Sequence, residues 1–127
     1  MEETIKQALA RDRTIDITTI GKKTGRPRRK EIWFHNLDGS LYITGTPGSR
    51  DWYANLVANP EFTFHLKQSV QADLPARATP IVEPDQRRKI IAGIIRKIGG
   101  ERDLDAWVAG SPLVQVELSP TIKLTVC

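Results

Sequence analysis

Short runs of alternating apolar and polar residues follow one another along this chain across turns and loops, with no regular crossover helices between them. Thr14-Ile15-Asp16-Ile17-Thr18-Thr19-Ile20 alternates in its first half and is rich in β-branched residues, as a half-buried strand requires. Residues 28–35 read as its return strand, with Ile32 and Phe34 facing opposite to Trp33. Asp38-Gly39 is a hairpin turn signal, and beyond it Leu41 and Ile43 alternate with Tyr42 and Thr44. Phe62, Phe64 and Leu66 alternate with Thr63, His65 and Lys67. Residues 70–83 continue the pattern, and Pro75 and Pro80 imply an edge, a bulge or a bend there. Two closing strands hold Val114, Val116 and Leu118, then Ile122, Leu124 and Val126, set off by Pro112 and Ser119-Pro120. No pair of strands has the spacing of a βαβ unit. The expectation is a mainly β fold, an antiparallel barrel of six to seven strands with peripheral helices.

Helical segments are few. Residues 2–10 can cover a sheet edge through Ile5, Ala8 and Leu9. After a loop at Thr46-Pro47-Gly48-Ser49, Ser49 is placed to cap a short helix from about Arg50 to Val57, which Asn59-Pro60 would end. Pro84 and Asp85 start the strongest helix, Ile90, Ile91, Ile94, Ile95 and Ile98 give it one apolar face, and Gly99-Gly100 stops it. That stripe reads as packing, with Lys89 and Arg96 facing water on the polar side. Leu104, Trp107 and Val108 suit a further short helix.

A length of 127 residues fits one domain, 1–127, and 39% hydrophobic with 27% charged residues is ordinary for a globular chain. The formal net charge of +4 favours an anionic partner: nucleic acid, an acidic membrane or a phosphorylated cofactor. The one cysteine, Cys127, leaves no intrachain disulfide and no cysteine-based zinc site, which fits a reducing cytoplasm. The acidic start, Met1-Glu2-Glu3, is not a secretory signal, and no apolar run nears the ~20 residues of a membrane span.

The charge is concentrated. Residues 22–30 carry six of the nineteen Lys and Arg residues, with Gly21 before them and Gly25 and Pro27 among them. Backbone N–H groups in a glycine-bearing hairpin can point at an anion, and Lys or Arg can close over it. Trp33 and Phe34 follow as flat surfaces. Phosphate plus ring is what a nucleotide-like ligand presents; the plain alternative is a solvated basic hairpin. Other chemistries lack their residues. His35 and His65 are the two histidines and lie on different strands, with no metal-ligand spacing around them. No serine sits in a nucleophile-elbow sequence, and neither a Walker lysine loop nor GxGxxG is present. An enzyme of this composition would rely on a bound cofactor. The rival from another class is a small β-barrel that stacks and neutralises single-stranded nucleic acid.

The segment Thr18-Thr19-Ile20-Gly21-Lys22-Lys23-Thr24-Gly25-Arg26-Pro27-Arg28, then Ile32-Trp33-Phe34, an Asp-Gly turn and Asp51-Trp52-Tyr53-Ala54-Asn55-Leu56-Val57-Ala58-Asn59-Pro60 resembles the deazaflavin-dependent nitroreductase and quinone reductase family. These are split β-barrel flavin-binding proteins, relatives of pyridoxamine-phosphate oxidase. The resemblance implies coenzyme F-420, with FMN as the alternative, and a small electrophile such as a quinone, enone or nitro compound as hydride or electron acceptor. It assigns the cofactor's phosphate and acidic tail to Lys22, Lys23, Thr24, Arg28, Arg29 and Lys30, and the ring site to Trp33. Thr44, Gly45, Thr46 and Pro47, with Asp51, Trp52, Tyr53 and Asn55, would complete the pocket. No residue is assigned as catalytic acid; Tyr53 and solvent are the candidate proton donors, and Tyr53 reads first as a packing residue. A non-catalytic cofactor carrier is compatible with the same residues. Pro47 stands where the family has a basic residue. Glu31 stands where it has a proline, which would put an acid near an anionic ligand. No tyrosine occurs between Gly99 and Trp107, where some members place tyrosines near their substrate. The family also implies a homodimer.

Overall fold

The computed structural model describes residues 3–119. In chain order these form α1 (Glu3–Arg11), β1 (Thr14–Ile20), β2 (Pro27–Trp33), β3 (His35–Leu37), β4 (Ser40–Thr44), α2 (Asp51–Ala58), β5 (Glu61–Leu66), β6 (Ala72–Pro80), α3 (Pro84–Ile98), α4 (Leu104–Gly110) and β7 (Leu113–Leu118). The seven strands make one sheet in the order β2-β1-β5-β6-β7-β4-β3. Its ladders are all antiparallel, and the sheet curls into a half-barrel. The expected barrel class is what the chain adopts. The last predicted strand, Ile122 to Val126, and Cys127 lie outside the described residues. No helix among the described residues is long and apolar enough to cross a membrane.

Parity sets the inner core. Ile15 and Ile17 of β1, Phe62, Phe64 and Leu66 of β5, Leu74, Ala76 and Ala78 of β6, and Val114 and Val116 of β7 meet inside the curl. Trp52 and Leu56 of α2 close one side, and Ile5, Ala8 and Leu9 of α1 join the same core. A second cluster lies on the outer face. Ile90, Ile91 and Ile94 of α3 and Trp107 of α4 cover Tyr42, Ile81 and Leu113. The isoleucine stripe is therefore packing, and β4 is buried on both faces because helices cover the side that alternation alone would leave wet. Helix α3 is capped at both ends. The Glu83 carboxylate accepts from the Asp85 and Gln86 amides at 2.7 and 3.3 Å, Pro84 leads, and Gly99 at φ 78° stops the helix.

Three local expectations are corrected. The return strand is two strands, not one. At Phe34 the chain leaves its ladder with β1; the Phe34 amide donates to Arg13 O at 2.9 Å, and its ring packs edge-on against Phe64 with centroids 5.3 Å apart. From His35 onward the backbone pairs with β4 instead. Second, Arg50, not Ser49, is the N-cap of α2, its backbone extended at φ −140°, ψ 137°, and it makes no side-chain cap because a guanidinium carries donors and no acceptor. Third, β6 is an interior strand, although it contains Pro75. The Pro75 carbonyl accepts from Ser119 N at 2.9 Å, so the missing N–H falls on the β7 side just past Leu118, where that strand ends.

His35 sits in β3 at 5% exposure. Burial, reinforced by the charges of Lys97 and Arg13, pushes its pKa from 6.5 down to about 4. A depressed histidine contributes stability that is full above the unfolded pKa and is lost as pH falls toward the folded one. Stability should thus decline between about pH 6.5 and pH 4, by on the order of 3 kcal/mol across the window. Urea unfolding at stepped pH checks this. A His35→Phe variant should flatten the slope between pH 6.5 and 5; an unchanged slope would remove His35 as its source.

Candidate cofactor site

The turn joining β1 to β2 is shaped by its glycines. Gly21 N donates to Arg26 O at 2.8 Å and Gly25 N to Gly21 O at 2.9 Å. Gly25 has φ 68°, the left-handed region that glycine enters without strain. A Cβ at Gly21 would lie 2.5 Å from Thr24 Oγ1, the oxygen that accepts from Arg26 N at 3.2 Å. The turn is thereby fixed, and the β1–β2 register follows, with Thr19 opposite Arg28 and Ile17 opposite Lys30. Side chains opposite one another share a face. Arg28 and Lys30 therefore stand on the inward side with Ile17 and Thr19. Arg29, Glu31 and Trp33 stand on the outward side.

Helix α2 braces this hairpin through its motif asparagines. Asn55 is buried; its Oδ1 accepts from Lys22 N at 2.9 Å and its Nδ2 donates to Thr19 Oγ1 at 3.1 Å. Asn59 Nδ2 reaches Ile20 O at 3.5 Å. Hairpin and helix enclose a cleft of about 660 Å³. Lys22, Lys23, Thr24, Arg28 and Lys30 line one wall; Asp51, Trp52 and Asn55 line the other. Ile17 and Thr19, which sequence reasoning passed over, form its base, and the inward parity of β1 was the signal that could have found them. Among the described residues, Lys22, Lys23, Arg28 and Lys30 have no ion-pair partner, whereas Arg29, Arg77 and Arg88 each have one and Lys67 has two. These four cations in one concavity attract an anion, and no ion pair among the described residues has to break for them to bind it.

The outward face is electrically closed. Arg29 Nε binds Asp16 Oδ2 at 2.9 Å, and Lys67 Nζ binds Asp16 Oδ1 at 2.7 Å and also the Glu31 carboxylate. Hydrogen bonds from Lys67 and then Arg29 hold Asp16 below the usual carboxylate range. Strand parity turns Glu31 away from the basic cleft to the opposite face, where Lys67 pairs it. Arg29 borders the cleft, but its guanidinium is tied to Asp16 on that same outward face. Beside this network His65, 6% exposed, bridges Thr18 Oγ1 at 2.6 Å and Asp73 Oδ1 at 2.7 Å. Among the described residues no three metal-ligating side chains converge.

The remaining sequence-selected residues lie elsewhere. Trp33 is 49% exposed on the outward face, with the Arg13 guanidinium 5.2 Å from its ring centroid. Thr44 is buried and its hydroxyl donates to Pro112 O at 2.5 Å. Gly45, Thr46 and Pro47 belong to the loop before α2. Arg50, not singled out by the sequence, holds that loop by donating to Thr46 O at 3.1 Å, Thr46 Oγ1 at 2.8 Å and Ser49 O at 3.0 Å. Tyr53 projects into a second cleft, of about 500 Å³, with Arg50 and the Gly110–Pro112 segment. The two clefts meet at Ala54.

The comparisons accord with this geometry. An F420 reductase of known structure superposes with a TM-score of 0.62 at 20% identity, over 94% of this chain and 96% of that one. A Listeria innocua protein assigned as a pyridoxamine 5′-phosphate oxidase gives 0.67 at 12% identity, with 92% of each chain covered. An FAD-binding protein from Mesorhizobium loti gives 0.63 at 13% identity, over 94% of this chain and 91% of that one. At such identities the likeness is one of fold, the split barrel. The sequence itself decides the family: the profile of the F420H(2)-dependent quinone reductases matches residues 2–117. A split barrel with a basic cleft that matches this profile over nearly its whole length belongs to the F420H(2)-dependent quinone reductase family, and is a deazaflavin-dependent oxidoreductase.

Proposed function

We propose that the cleft between the β1–β2 hairpin and α2 holds the phosphate and acidic tail of coenzyme F-420, and that the reduced coenzyme serves a small electrophilic acceptor of the quinone class. The observation that carries this reading is the convergence of Lys22, Lys23, Arg28 and Lys30, unpaired among the described residues, on one cleft. The donor set fits the group: ammonium and guanidinium groups complement phosphate and carboxylate, and a fixed glycine turn lets backbone approach closely. When bound, the deazaflavin supplies the hydride. The chain's own residues do the rest. Lys22, Lys23, Arg28 and Lys30 neutralise the tail, and Thr24 stands beside them as a hydroxyl donor. Asn55 keeps the hairpin against α2. Arg50 and Tyr53 line the adjoining cleft, where an acceptor would be held beside the cofactor and its developing negative charge met by Arg50. Tyr53 or water supplies the proton that balances the reduction. FMN is the alternative occupant.

Fluorescence titration with F-420 and with FMN tests the reading. Saturable binding of F-420 is expected; no binding of either cofactor below about millimolar would overturn it.

A homodimer is part of this proposal. Trp33 and Lys30 lie on opposite faces of β2, so a ring site that uses Trp33 is not built from the basic cleft of one chain alone. A second copy that brings its own elements against the outward face would complete it. Light scattering at micromolar concentration should give twice the chain mass of 14.2 kDa. A mass of one chain would contradict it. A cytoplasmic setting completes the reading, in keeping with the low cysteine usage.

A further inference from the structure

A groove of about 670 Å³ runs between α3 and the β3–β4 hairpin, and it shares no residue with the cofactor cleft. Its floor is apolar: Leu37, the Tyr42 ring and Ile90. Gly93 keeps the helix close to that floor, since a Cβ there would lie 3.2 Å from Leu37 Cδ1. Gln86, Lys89 and Arg96 border it from α3 at the spacing that puts them on one helix face with Gly93. Lys97 closes one end, its Nζ donating to Asn36 O at 2.6 Å.

Lys97 and Asn36 are satisfied by protein partners, but several other polar side chains of this groove are not. Tyr42 is 9% exposed, and its hydroxyl makes no hydrogen bond to another described residue. Among the described residues the one fully buried side-chain polar atom without a partner is Ser111 Oγ, so the Tyr42 hydroxyl is not sealed from solvent, and Tyr42 lines this groove. The Lys89 ammonium, the Arg96 guanidinium and the Gln86 side-chain carboxamide likewise have no hydrogen-bond or ion-pair partner among the described residues, whereas Arg88 on the same helix is paired with Asp105 at 2.6 Å. Asp38, on the hairpin turn, is the groove's single acid against Lys89, Arg96 and Lys97. An apolar floor under two unpaired cations, with a hydroxyl and an amide converging on it, is the composition of a small-ligand site.

We propose that the α3–hairpin groove is a second ligand site, for a small organic anion: a carboxylate or phosphate monoester on an apolar body. The anionic oxygens lie between Lys89 and Arg96, the body rests on Leu37, Ile90 and the Tyr42 ring, and the Tyr42 hydroxyl donates to the ligand. The groove's volume suits a molecule of one or two rings.

Calorimetric titration of the full chain with phenyl phosphate, benzoate and inorganic phosphate tests this. Both aromatic probes are expected to bind at about millimolar or tighter, and inorganic phosphate more weakly because it leaves the floor uncovered. Arg96→Ala should weaken phenyl phosphate about tenfold, the effect of losing a charge-assisted hydrogen bond. Tyr42→Phe should weaken it less while keeping the ring. Arg88→Ala, on the same helix but paired with Asp105, should leave it unchanged. Three results would overturn the proposal: no binding of either aromatic probe at ten times that concentration, binding insensitive to both Arg96→Ala and Lys89→Ala, or binding lost with Arg28→Ala, which would place the probe in the cofactor cleft.

Discussion

Replacing Arg28 with alanine is expected to weaken F-420 binding by about tenfold or more, with little change in folding stability. Arg28 stands inward on β2, lines the basic cleft and has no ion-pair partner among the described residues. Removing a group that makes charge-assisted hydrogen bonds to a phosphate forfeits roughly 1.5–3 kcal/mol. Exposed charges contribute about 0–1 kcal/mol to folding, so Tm should hardly move. Arg29→Ala should weaken binding less, since its guanidinium is held by Asp16 on the other face. Arg88→Ala, which breaks only the exposed pair with Asp105, is the charge-matched control and should bind like the parent. Fluorescence titration at low and high salt reads all three. Equal weakening in every variant, reproduced by salt, would mean that net charge acts and no cleft does. That outcome would favour the single-stranded nucleic-acid reading.

Asn55→Ala is expected to lower both stability and cofactor affinity, although Asn55 carries no charge. Its carboxamide joins Lys22 N and Thr19 Oγ1 from a buried position, so the variant leaves a backbone donor and a hydroxyl without partners. The combined loss is on the order of 2–3 kcal/mol. That corresponds to a fall in Tm of roughly 6–15 °C. Affinity should fall because the hairpin loses its attachment to α2 and the cations lose their common direction. Urea unfolding and cofactor titration on the same sample separate the two effects. A variant that keeps parental stability and affinity would show that the hairpin is held by its own turn and that Asn55 is no brace.

Much of this protein was legible in its residues because the relevant signals are local. Phe62, Phe64 and Leu66 announce an inward face by period-two alternation. Glu83-Pro84 and Gly99 mark the ends of α3 by cap chemistry, and the isoleucines between them mark its buried side. Gly21 and Gly25 among six cations define a turn suited to an anion, and the paired motif blocks pointed to the deazaflavin family. What the residues could not say is which of two faces is covered, and by what. Alternation separates Arg28 from Arg29 and Lys30 from Glu31, but only the pairing of β2 with β1 and the position of α2 decide that Arg28 and Lys30 enter the cleft. The partner that turns Glu31 and Arg29 into an outward network, Lys67, is supplied by β5's neighbourhood, more than thirty residues away in sequence. Pro75 reads locally as an edge, a bulge or a bend, and the end of β7 makes it tolerable inside the sheet. Tyr42 and Lys89 become neighbours only when α3 packs on the hairpin. Periodicity and caps are properties of a few adjacent residues, and so the sequence by itself determined the elements and their apolar sides. Register and the packing of layers depend on contacts between residues far apart in the chain, and those contacts, found only in the tertiary structure, decided which charges are paired, which are free, and where the clefts open.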